Sequence, residues 1–440
     1  MAASEAAKQF GTRAANLARS DEAAEAALAR RQMETAKQIV AVLGTMKGAA
    51  MKLGQVLSFL DVGLVPEEYR EEFQKELGKL RDSAPTVAFK QMKKVIESDL
   101  EDKLSNLFDD FDEEPIAAAS IGQVYRAVVP DGREVAVKVQ YPGVNAAVRA
   151  DLQNLGMLMR LGKVLVPGLD VKSATEEIRL RIFEELDYEL EAQNQRRMVR
   201  VYRGHPFIVI PDVITSMSRE RVLVGEFIRG TGFEALKQEP QEERDRLGEI
   251  IFRFFFGSMY RHGEFSGDPH PGNFMRMDDG RVGFLDFGLF KKIDPEVAEF
   301  EMAGQRAVIE GRGMDLVEHL RSGGFLPGKN VDPERVIEQA RELTWWYLTD
   351  QEIALKPSMA TRVAVDMSDP RSRYYDQMRQ ESLPAEHIFG RRLELLTLAV
   401  MSQLYARGNW YRVSREWLYG DDPVTELGRQ EADFYAGAGV

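Results

Sequence analysis

The chain has 440 residues, enough to bury a large core in one bilobal domain with an extension. Its 58 Lys+Arg against 71 Asp+Glu give a net charge of −13, which argues against nucleic-acid partners, since these need a basic field. Without cysteine there are no disulfides or thiolate metal sites, and a reducing, cytoplasmic setting is compatible.

Residues 1–90 read as helical and lack a strand pattern. Met1 to Arg19 is Ala-rich with only Glu5 acidic, and reads as a frayed amphipathic helix rather than a transit peptide. The most apolar stretch, Ile39 to Leu60, is interrupted by Lys47 and Lys52, so no spanning helix is expected. A surface helix should run from Pro66 to about Asp82, ending near Pro85. Another is expected over 90–112. Strands follow near 116–128 and 134–140, joined by the turn Pro130-Asp-Gly132.

Two long helical patterns, about 144–165 and 173–203, are separated by Pro167-Gly168. Phe207 to Ile210 and Arg221 to Ile228 read as the remaining strands. From 240 onward the pattern is mostly helical, apart from a hairpin at about 272–288.

The chemistry concentrates in that hairpin. Ser266-Gly-Asp-Pro-His-Pro-Gly-Asn273 is followed by Asp286-Phe-Gly288. An Asp, an Asn five positions on and then Asp-Phe-Gly is the spacing of a protein-kinase-like phosphoryl-transfer site. Asp268 would orient the attacking hydroxyl or water or accept its proton. Asn273 would reach a divalent metal from the same loop, and Asp286 would bridge metals to the phosphates. Upstream, Val135-Ala-Val-Lys138 places one lysine in an apolar strand, where a buried ammonium needs an anion. Ala117-Ala-Ala-Ser-Ile-Gly-Gln-Val124 stands where a kinase has its Gly-rich loop. Gly122 and Val124 match its last positions. Ala117 and Ala119 replace its first two glycines, so the loop, with Ala118 and Ser120, should be stiffer, because alanine does not readily take φ > 0. Glu226 and Ile228 fall at the hinge, where backbone groups would meet adenine. Gly225 would line a roomy back wall.

With these motifs in place the chain resembles the UbiB/ADCK atypical kinases, the aarF-domain-containing proteins linked to quinone biosynthesis. Lys52-Leu-Gly-Gln55 matches the family's K-x-G-Q motif. Glu185-Leu-Asp187-Tyr188 with Glu191-Ala-Gln-Asn194 matches its E-x-D-Y-x-x-E-A-x-N helix. The alanine loop and the Val139-Gln-Tyr-Pro-Gly143 run complete the match, which covers about residues 40 to 410.

The resemblance implies an α+β, bilobal protein-kinase-like fold. An N-terminal helical extension spans 1–90, the N-lobe with a helical insertion 91–230, and a predominantly helical C-lobe 231–440. It implies that Glu191 pairs with Lys138. It also implies that Glu185 and Asp187 face the metal site and the Lys52 motif. Lys52 and Gln55 would cross the active site where a protein kinase docks its peptide. On a regular helix Asp187 and Glu191 share a stripe, and Glu185 lies roughly 200° from Asp187. The implied cofactors are ATP with Mg²⁺ or Mn²⁺. The implied activity is ATP hydrolysis or phosphate transfer to a small-molecule or lipid-like acceptor. The alternative is a pseudokinase-like nucleotide-binding scaffold regulating lipid or quinone enzymes.

Two departures from protein kinases bear on the acceptor. Ser266-Gly267 replaces the His-Arg that precedes the catalytic Asp. No Ala-Pro-Glu follows Asp-Phe-Gly, so the peptide-docking platform is missing. The tail from Gly420 is polar, and membrane contact is expected to be peripheral. His270, between prolines, reads as structural. His205, His262, His319 and His387 lack metal-ligand spacing. Trp345, Trp346, Trp410 and Trp417 read as packing residues.

Overall fold

A computed structural model describes residues 87–438, except 120, 153–170, 327–330, 367–372, 375–380, 383, 385 and 386. The extension expected over 1–90 therefore lies outside the described residues up to 86, and Lys52 and Gln55 with it. The segment 90–112, expected as one helix, is two: α1 (Phe89–Asp99) and α2 (Leu104–Leu107), then the short strand β1 (Asp110–Phe111). The break has a local cause. Glu101 has φ of 57°, which an α-helix cannot continue. The Glu97 carboxylate accepts from the Leu104 N–H and so starts the second helix. α1 buries Met92, Val95 and Ile96, the spacing of an amphipathic stripe.

Two antiparallel strands, β2 (Ala117–Ala119) and β3 (Gly122–Val128), stand where one strand was expected over 116–128, and β4 (Glu134–Gln140) falls where its strand was expected. The β3–β4 turn closes on Gly132, whose φ of 85° suits glycine. Strand β6 (Val222–Glu226) pairs antiparallel with β4, giving a sheet in the order β1-β3-β4-β6 with β2 also on β3. Side chains alternate along β4. Val135, Val137 and Val139 enter the core, so Ala136 and Lys138 face the other way.

Helix α3 (Val144–Leu152) comes next, then α4 (Val171–Glu185) and α5 (Tyr188–Tyr202). The single helix expected over 173–203 is thus broken at Leu186-Asp187. Strand β5 (Ile208–Val209) does not join the first sheet. It pairs parallel with β10 (Val282–Phe284), in a second sheet ordered β5-β10-β9-β7 with β9 (Phe274–Met277) and β7 (Gly230–Gly232).

Beyond it come α6 (Phe233–Leu236) and α7 (Gln241–Phe252), which runs into a π-helical segment, Arg253–His262. β8 (Glu264–Ser266) pairs with β11 (Phe290–Lys292) and brackets the catalytic hairpin. Helices α8 (Pro295–Ile309), α9 (Gly313–Ser322), α10 (Pro333–Leu348), α11 (Pro357–Asp366), α12 (Ile388–Gln403), α13 (Trp410–Leu418) and α14 (Glu426–Ala438) complete the larger lobe. Between them, the two-residue strands β12 (Ile353–Ala354) and β13 (Arg407–Gly408) pair.

Among the described residues there are two hydrophobic cores. One fills the first sheet from Met92 to Val224; the other runs from Met198 to Leu427. Helix α5 enters both, giving Tyr188 and Ala192 to the first and Met198, Val199 and Tyr202 to the second. It is therefore the joint that fixes the cleft between them. The architecture is the α+β kinase-like fold. No helix among the described residues is long and apolar enough to cross a membrane.

Candidate active site

A cleft of about 430 Å³ lies between the two cores. β2 and β3 form its roof, β6 and the segment after it one wall, and the catalytic hairpin its floor. Lys138, Glu185, Glu191, Asp268, Asn273 and Asp286 all line it.

Lys138 is the electrostatic centre. Its Nζ donates to both Glu191 oxygens at 2.7 and 2.9 Å, and to Asp286 Oδ2 at 3.4 Å. It also sits 4.9 Å from the centroid of the Tyr188 ring. Burial alone would push the ammonium down, but Asp286 and Glu191 outweigh it and hold Lys138 well above its ordinary value. The lysine is therefore charged and held between the Glu191 and Asp286 carboxylates.

The break between α4 and α5 explains how the acidic residues divide. Asp187 caps α5: its Oδ1 accepts from the Glu189 and Leu190 N–H groups at 3.0 and 3.1 Å. The shared Asp187–Glu191 stripe of a continuous helix is therefore not what forms. Asp187 does not line the cleft. Glu185 ends α4, is buried, and packs beside Gly288 of the Asp-Phe-Gly segment. Glu191, one turn into α5, is carried to Lys138.

The catalytic loop is held from several sides. Gly267 N–H donates to the Leu289 carbonyl at 2.7 Å, and Ser266 Oγ to the Asp286 carbonyl at 3.1 Å. Asn273 Nδ2 donates to the Asp268 carbonyl and to Asp268 Oδ2, at 3.1 and 3.2 Å. This turns the Asn273 amide oxygen away from Asp268. Asp286 Oδ1 accepts from the Gly288 N–H at 3.0 Å, and Asn194 Nδ2 ties α5 to the Phe287 carbonyl at 3.4 Å. His270 caps the short turn by accepting from the Gly272 N–H.

At the roof, Ala117–Ala119 form a strand paired with Gly122–Val124. Ser120 lies outside the described residues. Gly122 is required by contact: a Cβ there would come within 2.1 Å of the Val139 carbonyl oxygen. At the hinge, the Glu226 N–H is taken by the Asp212 carbonyl at 2.8 Å. Glu226 and Ile228 both line the cleft there. Gly225 lines the back wall as expected, with Gln195 behind it.

The other histidines are packing groups. His205 lies against Glu431, His387 against Glu301, His319 against the Phe300 carbonyl and His262 against Tyr435. Trp346 and Trp410 are buried in the second core, and Trp417 packs on Phe252. Trp345 instead borders a wider surface cleft of about 760 Å³. That cleft shares no lining residue with the first, and its Arg373 is already paired with Glu338 at 3.0 Å.

Sequence reading missed one arginine in the site. Arg392, on α12, donates from Nη1 to the Gly267 carbonyl at 2.6 Å and from Nη2 to Asp268 Oδ1 at 3.2 Å.

The donor set suits a hard cation. The Asn273 amide oxygen and the Asp286 and Glu185 carboxylates are all hard oxygen donors lining the cleft. Among the described residues no group of three or more His, Cys, Asp or Glu is placed to hold a metal alone. Mg²⁺ ordinarily takes one or two carboxylates plus substrate phosphates, so the residues fit a metal that arrives with a nucleotide.

A two-lobed fold with a lysine–glutamate pair over an Asp–Asn–Asp-Phe-Gly hairpin defines a kinase-like protein. The model of the ABC1 atypical kinase-like domain matches residues 79–310, and the chain belongs to that family. It is 32% identical over 298 residues to the atypical kinase coq-8, mitochondrial, of Caenorhabditis elegans, covering 67% of this chain and 39% of that one. To the atypical kinase COQ8B, mitochondrial, of Danio rerio it is 32% identical over 289 residues, covering 64% and 46%. The chain thus spans less than half the length of these curated relatives. The solved structure of Rv3197 with erythromycin, from Mycobacterium tuberculosis, is similar at a TM-score of 0.64. It has 32% identity, covering 90% of this chain and 98% of that one.

Proposed function

We propose that this chain binds ATP with Mg²⁺ or Mn²⁺ in the cleft between its cores. It then hydrolyses the nucleotide or passes the γ-phosphate to a small-molecule or lipid-like acceptor. The observation that carries this is the contact of Lys138 with Glu191 at 2.7 Å and Asp286 at 3.4 Å, in one cleft with Asp268 and Asn273.

In this reading Lys138 holds the α- and β-phosphates, and Glu191 keeps its ammonium in place. Asn273, Asp286 and Glu185 would hold the metal, which supplies charge neutralisation on the phosphate oxygens. Asp268 orients the attacking hydroxyl or water. The missing Ala-Pro-Glu platform disfavours protein acceptors. The family's link to quinone biosynthesis favours a lipid-like one, met by peripheral membrane contact. The rival reading, a regulatory scaffold, is favoured by the alanine roof, where β2 replaces a flexible glycine loop.

Two measurements test this. Purified protein should turn over radiolabelled ATP, with detergent-solubilised lipid present or absent. Asp286→Asn should abolish the Mg²⁺-dependent thermal stabilisation by ATP and leave the nucleotide-free melting point close to wild type. Unchanged stabilisation in that variant would sink the metal assignment. Stabilisation of the wild type without turnover would favour the scaffold.

A further inference from the structure

We propose that Arg392 is a positioning residue for Asp268, supplied to the catalytic loop by the C-terminal helices. The inference rests on the phosphotransfer reading above and names a further residue of that site. It lies outside the family-model match, which ends at residue 310.

The geometry is specific. One guanidinium nitrogen binds the Gly267 carbonyl and another binds the Asp268 carboxylate, so a single planar fork spans backbone and side chain of consecutive residues. The first contact fixes where the loop sits. The second fixes how the Asp268 side chain is turned. Asn273 takes the other carboxylate oxygen. Asp268 is therefore held from two sides, once from its own loop and once from α12.

The loop itself offers no substitute. Ser266 and Gly267 carry no charge, and His270 is engaged with the Gly272 N–H. The Arg392 side chain is only 8% exposed, and a buried cation is retained where it is paired. The helix presenting it is anchored as well. Neighbouring Arg391 binds Glu301 at 2.9 Å and Glu394 at 3.2 Å, and His387 binds Glu301 at 2.5 Å. This ties α12 to α8 and gives the fork a fixed base.

Phosphoryl transfer depends on alignment of the attacking oxygen, and a displaced orienting group costs rate rather than nucleotide affinity. Arg392→Gln should therefore lower kcat for ATP turnover by about 10- to 100-fold. KM for ATP and the ATP–Mg²⁺ thermal shift should stay within about twofold. Arg392→Lys keeps the charge but loses the fork, and should recover part of kcat.

A second measurement does not need turnover. In a thermal cycle of Arg392→Gln, Asp268→Asn and the double variant, the double variant should melt no lower than the worse single. Strictly additive losses would overturn the proposal. So would a rise in kcat on losing Arg392, no recovery with lysine, or a joint fall of kcat, nucleotide affinity and melting point. If the wild type turns over no ATP, the phosphotransfer reading fails, and the cycle alone decides whether Arg392 positions Asp268.

Discussion

Lys138 is held by two carboxylates that reach it from different lobes, and removing it takes this ammonium away from both. Breaking a buried pair by deleting one partner costs about 3–5 kcal/mol, so Lys138→Met should lose stability as well as nucleotide binding. The loss should depend on pH. Burial pushes the Glu191 carboxyl up, and Lys138 is the main group pulling it back down. Without the lysine the folded value rises further above the unfolded one. The folded state then binds the proton more tightly, so stability is gained as pH falls and lost as pH rises through the folded value. Urea unfolding of Lys138→Met should show a smaller deficit near pH ~5 than near pH ~8. A deficit independent of pH would mean that Glu191 finds another cation. At this scale the sequence was informative wherever chemistry ties residues to a short spacing, as at Asp268, Asn273 and Asp286. It was silent on Arg392, 124 residues from Asp268, because a lone arginine on a helix carries no local sign of what it will touch.

The helix break at Leu186-Asp187 shows what element-level reading can and cannot reach. The helical pattern from Ser173 to Tyr202 runs on through the break, so it gives no sign that one helix ends and another begins. The local signal was there: an Asp with Glu189 and Glu191 in the turn after it is a helix start. The restart aims α5 and sets Glu191 against Lys138 while leaving Glu185 beside Gly288 of the Asp-Phe-Gly segment. Asp187→Ala removes the cap, and should cost about 1 kcal/mol in chemical unfolding. It should also weaken ATP stabilisation, since fraying of the first turn loosens Glu191. A stability loss with ATP binding unchanged would confine Asp187 to capping. Strands β3, β4 and β6 of the first sheet were legible because β-branched alternation is local, whereas β1 fell inside a segment expected as helix. The strand at Phe207 to Ile210 could be read as well, but its parallel pairing with β10 could not, since that partner lies far along the chain.

Among the described residues, the last helix, α14, docks on a buried arginine of the larger lobe. Arg253, fully buried in the π-helical segment, binds Glu249 at 2.7 Å, Glu416 at 2.8 Å and Glu431 at 3.0 Å, so α7, α13 and α14 meet on one guanidinium. Beside it His262 meets Tyr435 of α14, with Nε2 and the hydroxyl 3.0 Å apart and the Tyr202 ring 5.9 Å away. Burial, with Arg261 adding to it, pushes the His262 imidazole down to about 4. An unfolded histidine titrates near ~6.5. Between those values the unfolded chain takes up a proton that the folded chain refuses, so stability falls as pH drops through this window. At pH ~5 the effect amounts to at most about 2 kcal/mol. His262→Phe should lose about 1 kcal/mol at neutral pH with its hydrogen bond, and escape the acid penalty. Thermal melts of the two proteins should therefore converge, or cross, between pH ~7.5 and pH ~5. Parallel slopes would mean that the imidazole titrates as in the unfolded chain, and that α14 does not cover it in solution.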